Sequence, residues 1–177
     1  WKERVGEEEA KRVSKEATTI GTHMHNLLEH YVLKTKYKPE EETEELIIAK
    51  KMFQAVKLFG LGRNLNEIWG VESALYFEDI YAGRTDLTGI YKGKPSIIDY
   101  KTSKFNKKSK YLDHYKCQLA AYSLAHENMY PEIGPINQGV LLIGIRPNKQ
   151  YNKTADLQTV IVQEEEMLKY KNEWTGI

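Results

Sequence analysis

The chain has a single cysteine, Cys117, among its 177 residues, which excludes an intramolecular disulfide and a four-cysteine zinc or iron–sulfur cluster. A lone thiol fits a reducing, intracellular setting. No stretch approaches the roughly 18 apolar residues of a membrane-spanning helix. The opening Trp1-Lys2-Glu3-Arg4 has neither a signal-peptide apolar core nor an initiator methionine. The chain is therefore expected to be soluble, without a membrane partner, and truncated or processed at its N-terminus. A strong charge of one sign is also missing: the net charge is +1, so any nucleic-acid surface must come from local clustering. What is present is an ordinary globular composition, 41% hydrophobic and 29% charged, which predicts one domain over residues 1–177.

Glutamates crowd residues 7–9, 40–45 and 164–166, whereas Lys101, Lys104, Lys107, Lys108, Lys110 and Lys116 fall in one short window. Residues 7–18 read as a polar helix. After a break at Gly21, Thr22 is placed as the cap of a second helix carrying Met24, Leu27, Leu28, Tyr31 and Val32 at helical spacing. A third helix is expected over 41–59, with Leu46, Ile47, Ala49, Met52, Phe53, Val56 and Phe59 on its apolar face, ending at Gly60-Leu61-Gly62. Strand-like runs follow at 71–77, 82–91 and 96–102, with turn signals at Glu78-Asp79 and 92–95, which together read as an antiparallel meander. An exposed Lys/Ser/Asn-rich loop at 102–110 leads to a helix over 111–129. A buried strand at 139–145, an edge partner at 158–162 and a closing helix at 164–174 complete the chain. This order indicates an α/β or α+β domain, a central sheet flanked by helices.

Side chains alternate across a strand, so Asp99 and Lys101 leave the 96–102 run on one face, while Ile98 and Tyr100 point to the other. An acid beside Ile97 and Ile98 is costly to bury unless a cation offsets it. That cation is either Lys101, in a structural pair, or a divalent metal ion. Asp86 lies on the preceding strand, and a turn at 92–95 brings it towards Asp99. Its other reading is an acid paired with Arg84. Two converging carboxylates suit Mg²⁺ or Mn²⁺, which take oxygen ligands and keep several waters. Gln118 and Tyr122, four apart on a helix, share a face that can meet a phosphate or Lys101. Lys104, Lys107, Lys108 and Lys110, interleaved with Phe105 and Tyr111, read either as a solvated loop or as a DNA-tracking surface whose rings stack on bases.

Gly21-Thr22-His23-Met24-His25 with Glu29, then Glu72, Gly83-Arg84-Thr85-Asp86, Asp99-Tyr100-Lys101-Thr102 and Gln118-Leu119-Ala120-Ala121-Tyr122 resemble, in order, the motif series of the RecB-like branch of PD-(D/E)XK nucleases. The look is similar to the mitochondrial genome maintenance exonuclease and related phage exonucleases. The resemblance implies a PD-(D/E)XK core of order αβββαβ with extra N-terminal helices. It implies that Asp86 and Asp99 ligate Mg²⁺ or Mn²⁺, joined by the backbone carbonyl of Tyr100 and by His25 from the helix start, with Glu72 as a less secure ligand. Lys101 would orient the attacking water and stabilise the transition state, and whether it also acts as a base is left open. Gln118 and Tyr122 would complete the catalytic group, with Arg84, Lys104, Lys107, Lys108, Lys110 and Tyr111 facing DNA. His25, rather than His23, has the spacing from Gly21 that the motif requires. No iron–sulfur cluster is expected, since the cysteines some relatives use are absent.

The function implied is a metal-dependent deoxyribonuclease, an exonuclease favouring single-stranded DNA ends. The alternatives are a catalytically silent DNA-binding module of a recombination or repair assembly, or a site-specific endonuclease of the same fold. The expected location is the cytoplasm of a bacterium or phage-infected host, or a mitochondrion if the source is eukaryotic.

Overall fold

The computed structural model describes residues 1–77 and 81–176. A short helix α1 (Lys2–Val5) precedes α2 (Glu7–Leu33) and α3 (Glu44–Ala55). Three strands follow, β1 (Leu65–Phe77), β2 (Tyr81–Tyr91) and β3 (Lys94–Ser103), then α4 (Asp113–Met129), β4 (Gln138–Ile145), β5 (Asp156–Val162) and α5 (Glu164–Thr175). The turn expected at Glu78-Asp79 lies outside the described residues.

The five strands form one sheet in sequence order. β3 and β4 run parallel, which requires the crossover through α4, and all other neighbours are antiparallel. β4 is buried along its whole length, as its continuous apolar sequence demands. One sheet face packs Leu87, Ile98, Tyr100, Val140 and Leu142 against Ile20, Met24 and Leu28 of α2 and Ala49 and Met52 of α3. The other packs Ile97, Leu141, Ile143 and Ile145 against Leu119 and Ala120 of α4 and Met167 and Tyr170 of α5. The approach of α2 is close enough that a Cβ on Gly144 would stand 2.7 Å from Met24 Sδ. Among the described residues no helix is long and apolar enough to cross a membrane.

Three expectations about the elements change. There is no break at Gly21 and no cap at Thr22: α2 is a single helix of 27 residues. The buried positions Ile20, Met24, Leu28 and Val32 recur every four residues straight through Gly21, and burying that stripe outweighs the roughly 1 kcal/mol that an interior glycine costs relative to alanine. His25 therefore projects from the middle of a helix rather than its start. Second, β1 begins six residues earlier than the run at 71–77, with bulges between Leu65 and Glu67 and between Ile68 and Gly70 that blur its alternation. Third, α3 ends in a π-helical turn, Val56–Leu61. The wider turn rotates Phe59 out of the apolar face, leaving it 66% exposed.

Candidate active site

The pairing of β2 with β3 stops at Leu87↔Ile98, while β3 continues beside β4 to Ser103↔Ile145. From Asp99 onward the β2 side of β3 is thus open. The N–H and C=O of one strand residue point to the same side, so Tyr100 directs both into this gap, where they need partners. Asp86 Oδ2 accepts the Tyr100 N–H at 2.7 Å. His25 Nε2 donates to the Tyr100 carbonyl at 2.9 Å and lies 3.5 Å from Asp86 Oδ2. The other imidazole nitrogen, Nδ1, donates to the Gly21 carbonyl at 2.9 Å. The splayed strand edge, filled by one carboxylate and one imidazole, is what gathers residues from three elements.

Asp99 is 5% exposed and points towards α4, as the parity with Ile97 predicts. Its Oδ2 accepts from Lys101 Nζ at 3.0 Å. The expected structural pair is therefore present, and Asp86 stands near enough for its charge to act on Asp99 as well. Burial, reinforced by the Asp86 charge, pushes the Asp99 carboxyl up to about 8. Burial acts on Asp86 in the same direction, but hydrogen bonds from His25 and Asp99 hold it well below the ordinary range. Two carboxylates this close resist carrying full charge together, and the cost falls on the more deeply buried Asp99. Burial disfavours a charged His25, yet the hydrogen bond and charge of Asp86 raise it to about 9. Burial also opposes the Lys101 ammonium, and Asp99 more than compensates.

Glu72 faces the same gap. The pairs Val71↔Leu87 and Ser73↔Thr85 set it opposite Asp86, and its pKa is raised by burial and then by the Asp86 charge. Its φ of 51° is left-handed, a strain of about 1–3 kcal/mol for a residue other than glycine. Among the described residues no group of three or more His, Cys, Asp or Glu is disposed to hold a metal ion by itself. Mg²⁺ does not need one, because it commonly binds through one or two carboxylates and completes its shell with water and substrate phosphate. A buried and a half-buried carboxylate beside a backbone carbonyl fit such a cation, whose charge would offset their mutual repulsion. His25 fits only after releasing its Nε2 proton, since ligands must be deprotonated.

On α4, Gln118 Nε2 donates to Tyr122 Oη at 3.0 Å. Burial raises the Tyr122 phenol, and the Asp99 and Asp86 charges add to this. The Tyr122 ring lies on Gly83, where a Cβ would stand 2.7 Å from Cε1. The sequence reading missed Tyr115. Lys101 Nζ sits 5.2 Å from its ring centroid, and Lys107 Nζ sits 6.0 Å from it, so one aromatic face steadies the site lysine through cation–π attraction. Its spacing from Gln118 and Tyr122, three and seven residues, was the available signal.

The remaining candidates stand outside this cluster. Arg84, Lys104, Lys108, Lys110 and Tyr111 are exposed, and Asp86 turns to His25 rather than pairing with Arg84. The Lys107 backbone is clamped to β5, its N–H donating to Gln158 Oε1 at 2.7 Å and its carbonyl accepting from Gln158 Nε2 at 2.8 Å. The 102–110 segment is thus anchored to β5 at Lys107, while Lys104, Phe105, Lys108 and Lys110 stand exposed as the sequence suggested. His23 bonds to Tyr37 Oη at 2.8 Å, a contact remote from the acids.

Residues 61–175 match the PD-(D/E)XK nuclease superfamily. Among solved structures, a candidate exonuclease of Eubacterium rectale aligns with a TM-score of 0.56 at 10% identity, over 89% of this chain and 65% of that one. At that identity the likeness shows the fold alone, and the chain spans just under two thirds of that relative's length. A phage-related exonuclease of Haemophilus somnus aligns at 16% identity with a TM-score of 0.37, over 88% of this chain and 77% of that one. No curated protein sequence matches the chain.

Proposed function

Because this chain belongs to the PD-(D/E)XK nuclease superfamily, we propose that it is a metal-dependent deoxyribonuclease, an exonuclease that prefers single-stranded DNA ends. The observation that carries the reading is the meeting of Asp86 and Asp99 at the splayed edge of β3 with Lys101 Nζ 3.0 Å from Asp99. A purely structural pair needs one acid for Lys101, whereas here a second, half-buried acid approaches the same point.

Asp86, Asp99, the Tyr100 carbonyl and His25 are the groups that would hold Mg²⁺ or Mn²⁺, with Glu72 behind Asp86. Bound there, the cation supplies Lewis-acid stabilisation of the charge that builds on the scissile phosphate. Lys101 carries donors only as an ammonium, so it orients the attacking water and stabilises negative charge on the phosphate oxygens. Tyr115 limits where that ammonium can go. Tyr122 accepts the Gln118 amide and keeps its own phenolic proton for a phosphate oxygen. The electrostatic work is thus divided between β3, which presents the acid and the lysine, and α4, which holds the polar groups opposite them.

The test is digestion of end-labelled linear and circular DNA, single- and double-stranded, with Mg²⁺ or Mn²⁺ and with chelator. Linear single strands should be shortened from an end only when metal is present, and Lys101→Ala should lower the rate about 10²–10³-fold. Cleavage that survives exhaustive chelation refutes the metal-dependent reading, and opening of circular single strands refutes the exonuclease reading.

A further inference from the structure

Beyond the catalytic cluster, the parallel strands β3 and β4 end side by side, and the chain that leaves them forms a groove of about 760 Å³. Arg146 N–H donates to the Ser103 carbonyl at 3.0 Å, which locks the two exits together. Lys104 and Phe105 line the groove from the β3 side, with Arg146, Tyr151 and Lys153 from the β4–β5 connection. Three cations face one acid among the lining residues, Asp156, whose Oδ1 is already engaged by the Leu157 N–H at 2.8 Å. Phe105 is 66% and Tyr151 64% exposed. Two large rings held in water have no packing reason to be there. Arg146 is fixed from behind by Glu16 of α2 at 2.9 Å.

We infer that this groove is a binding subsite for single-stranded DNA, in which Phe105 and Tyr151 stack on unpaired bases while Lys104, Arg146 and Lys153 meet the phosphates. The choice of ligand rests on the nuclease reading above. Position supports it: β3 carries Asp99 and Lys101 and ends at Ser103, and the next residue, Lys104, lines the groove, so the groove opens at the end of the strand that presents the catalytic pair. The rings select the form of the DNA. Bases in a duplex are stacked on one another and offer no face to a side chain, whereas every unpaired base presents one. The subsite adds the β4–β5 connection to the lysine-rich segment after β3 and makes the two walls of one channel.

The experiment is fluorescence anisotropy with labelled oligo(dT) and with a blunt hairpin duplex, in chelator so that neither is cut. The protein should bind oligo(dT) more tightly than the hairpin. Phe105→Ala and Tyr151→Ala should each weaken oligo(dT) binding about tenfold, and Tyr151→Trp should retain it. Lys153→Ala should make the salt dependence shallower by about 0.7 in log–log slope. Unchanged oligo(dT) affinity in the double ring variant overturns the inference, as does an equal loss on the hairpin. Hydrolysis of bis(p-nitrophenyl) phosphate by the unaltered protein with Mn²⁺ reads the catalytic proposal separately, since that substrate is too small to reach the groove. Hydrolysis without ring-dependent binding overturns the groove alone. Ring-dependent binding without hydrolysis upholds the groove and overturns the nuclease reading.

Discussion

Gly83→Ala tests how α4 is seated against the catalytic strands. The added Cβ would stand 2.7 Å from Tyr122 Cε1 and 3.2 Å from its Oη, well inside the roughly 3.5–4.0 Å of a favourable carbon contact. The ring cannot retreat freely, because its hydroxyl accepts from Gln118 and the ring borders the core beneath α4. Overpacking of this kind costs about 1–3 kcal/mol, which in a domain of this size lowers Tm by about 2–4 °C per kcal/mol. Thermal melts of the four proteins in a double-mutant cycle with Tyr122→Leu supply the assay. Leucine lacks the ring atoms that clash, so Gly83→Ala should cost little in that background, giving a coupling energy of about 1–2 kcal/mol. Strictly additive losses would refute the reasoning, because they would mean that Gly83 does not meet the ring.

Three further outcomes follow from the structure. Mn²⁺ at one hundred times its Kd should stabilise the protein by about 2.7 kcal/mol, read as a rise in Tm that Asp86→Ala and Asp99→Ala abolish. His126 is buried, with Nδ1 lacking a partner among the described residues, and burial lowers its pKa. The unfolded chain then takes a proton that the native state refuses. Stability contributed by this residue is full above about pH 6.5 and falls as pH drops towards the lowered folded value, so urea midpoints from pH 8 to 5 should fall less steeply in His126→Gln. Lys171 is buried on α5 and bonds to Glu127, to the Ile136 carbonyl at 3.1 Å and to Asn137 Oδ1 at 3.1 Å. Lys171→Met keeps the packing but leaves those acceptors unmatched, and should cost about 2–3 kcal/mol in chemical denaturation.

Some of this protein could be read from local sequence alone. The alternation through Ile97 to Lys101 put Asp99 and Lys101 on one face, and the apolar run at Gly139 to Ile145 announced a strand buried on both sides. Both follow from the period of an extended chain and the burial of apolar surface. The periodicity of Tyr111 to Met129 likewise foretold the helix that carries Gln118 and Tyr122. The burial stripe of α2 was legible too, but a glycine in mid-helix read as a break, because the energy that carries the helix through Gly21 comes from packing against the sheet. Phe59 misled for the opposite reason: a π-helical turn changes the period on which a face is counted.

What the sequence by itself determined was the set of elements and the residue types each presents, since both depend on neighbours within a few positions. Only the tertiary structure decided that β3 parts from β2 after Ile98, and this opens the edge of Tyr100 to Asp86 and His25. The same holds for Glu72 lying opposite Asp86, for Tyr115 steadying Lys101, and for the meeting of Lys104 and Phe105 with Tyr151 and Lys153 across two strand exits. These are contacts between residues 14 to 75 positions apart, fixed by strand register and by where pairing ends. No local pattern records them, because they arise from unpaired backbone groups and unmatched charges seeking partners once the sheet has closed.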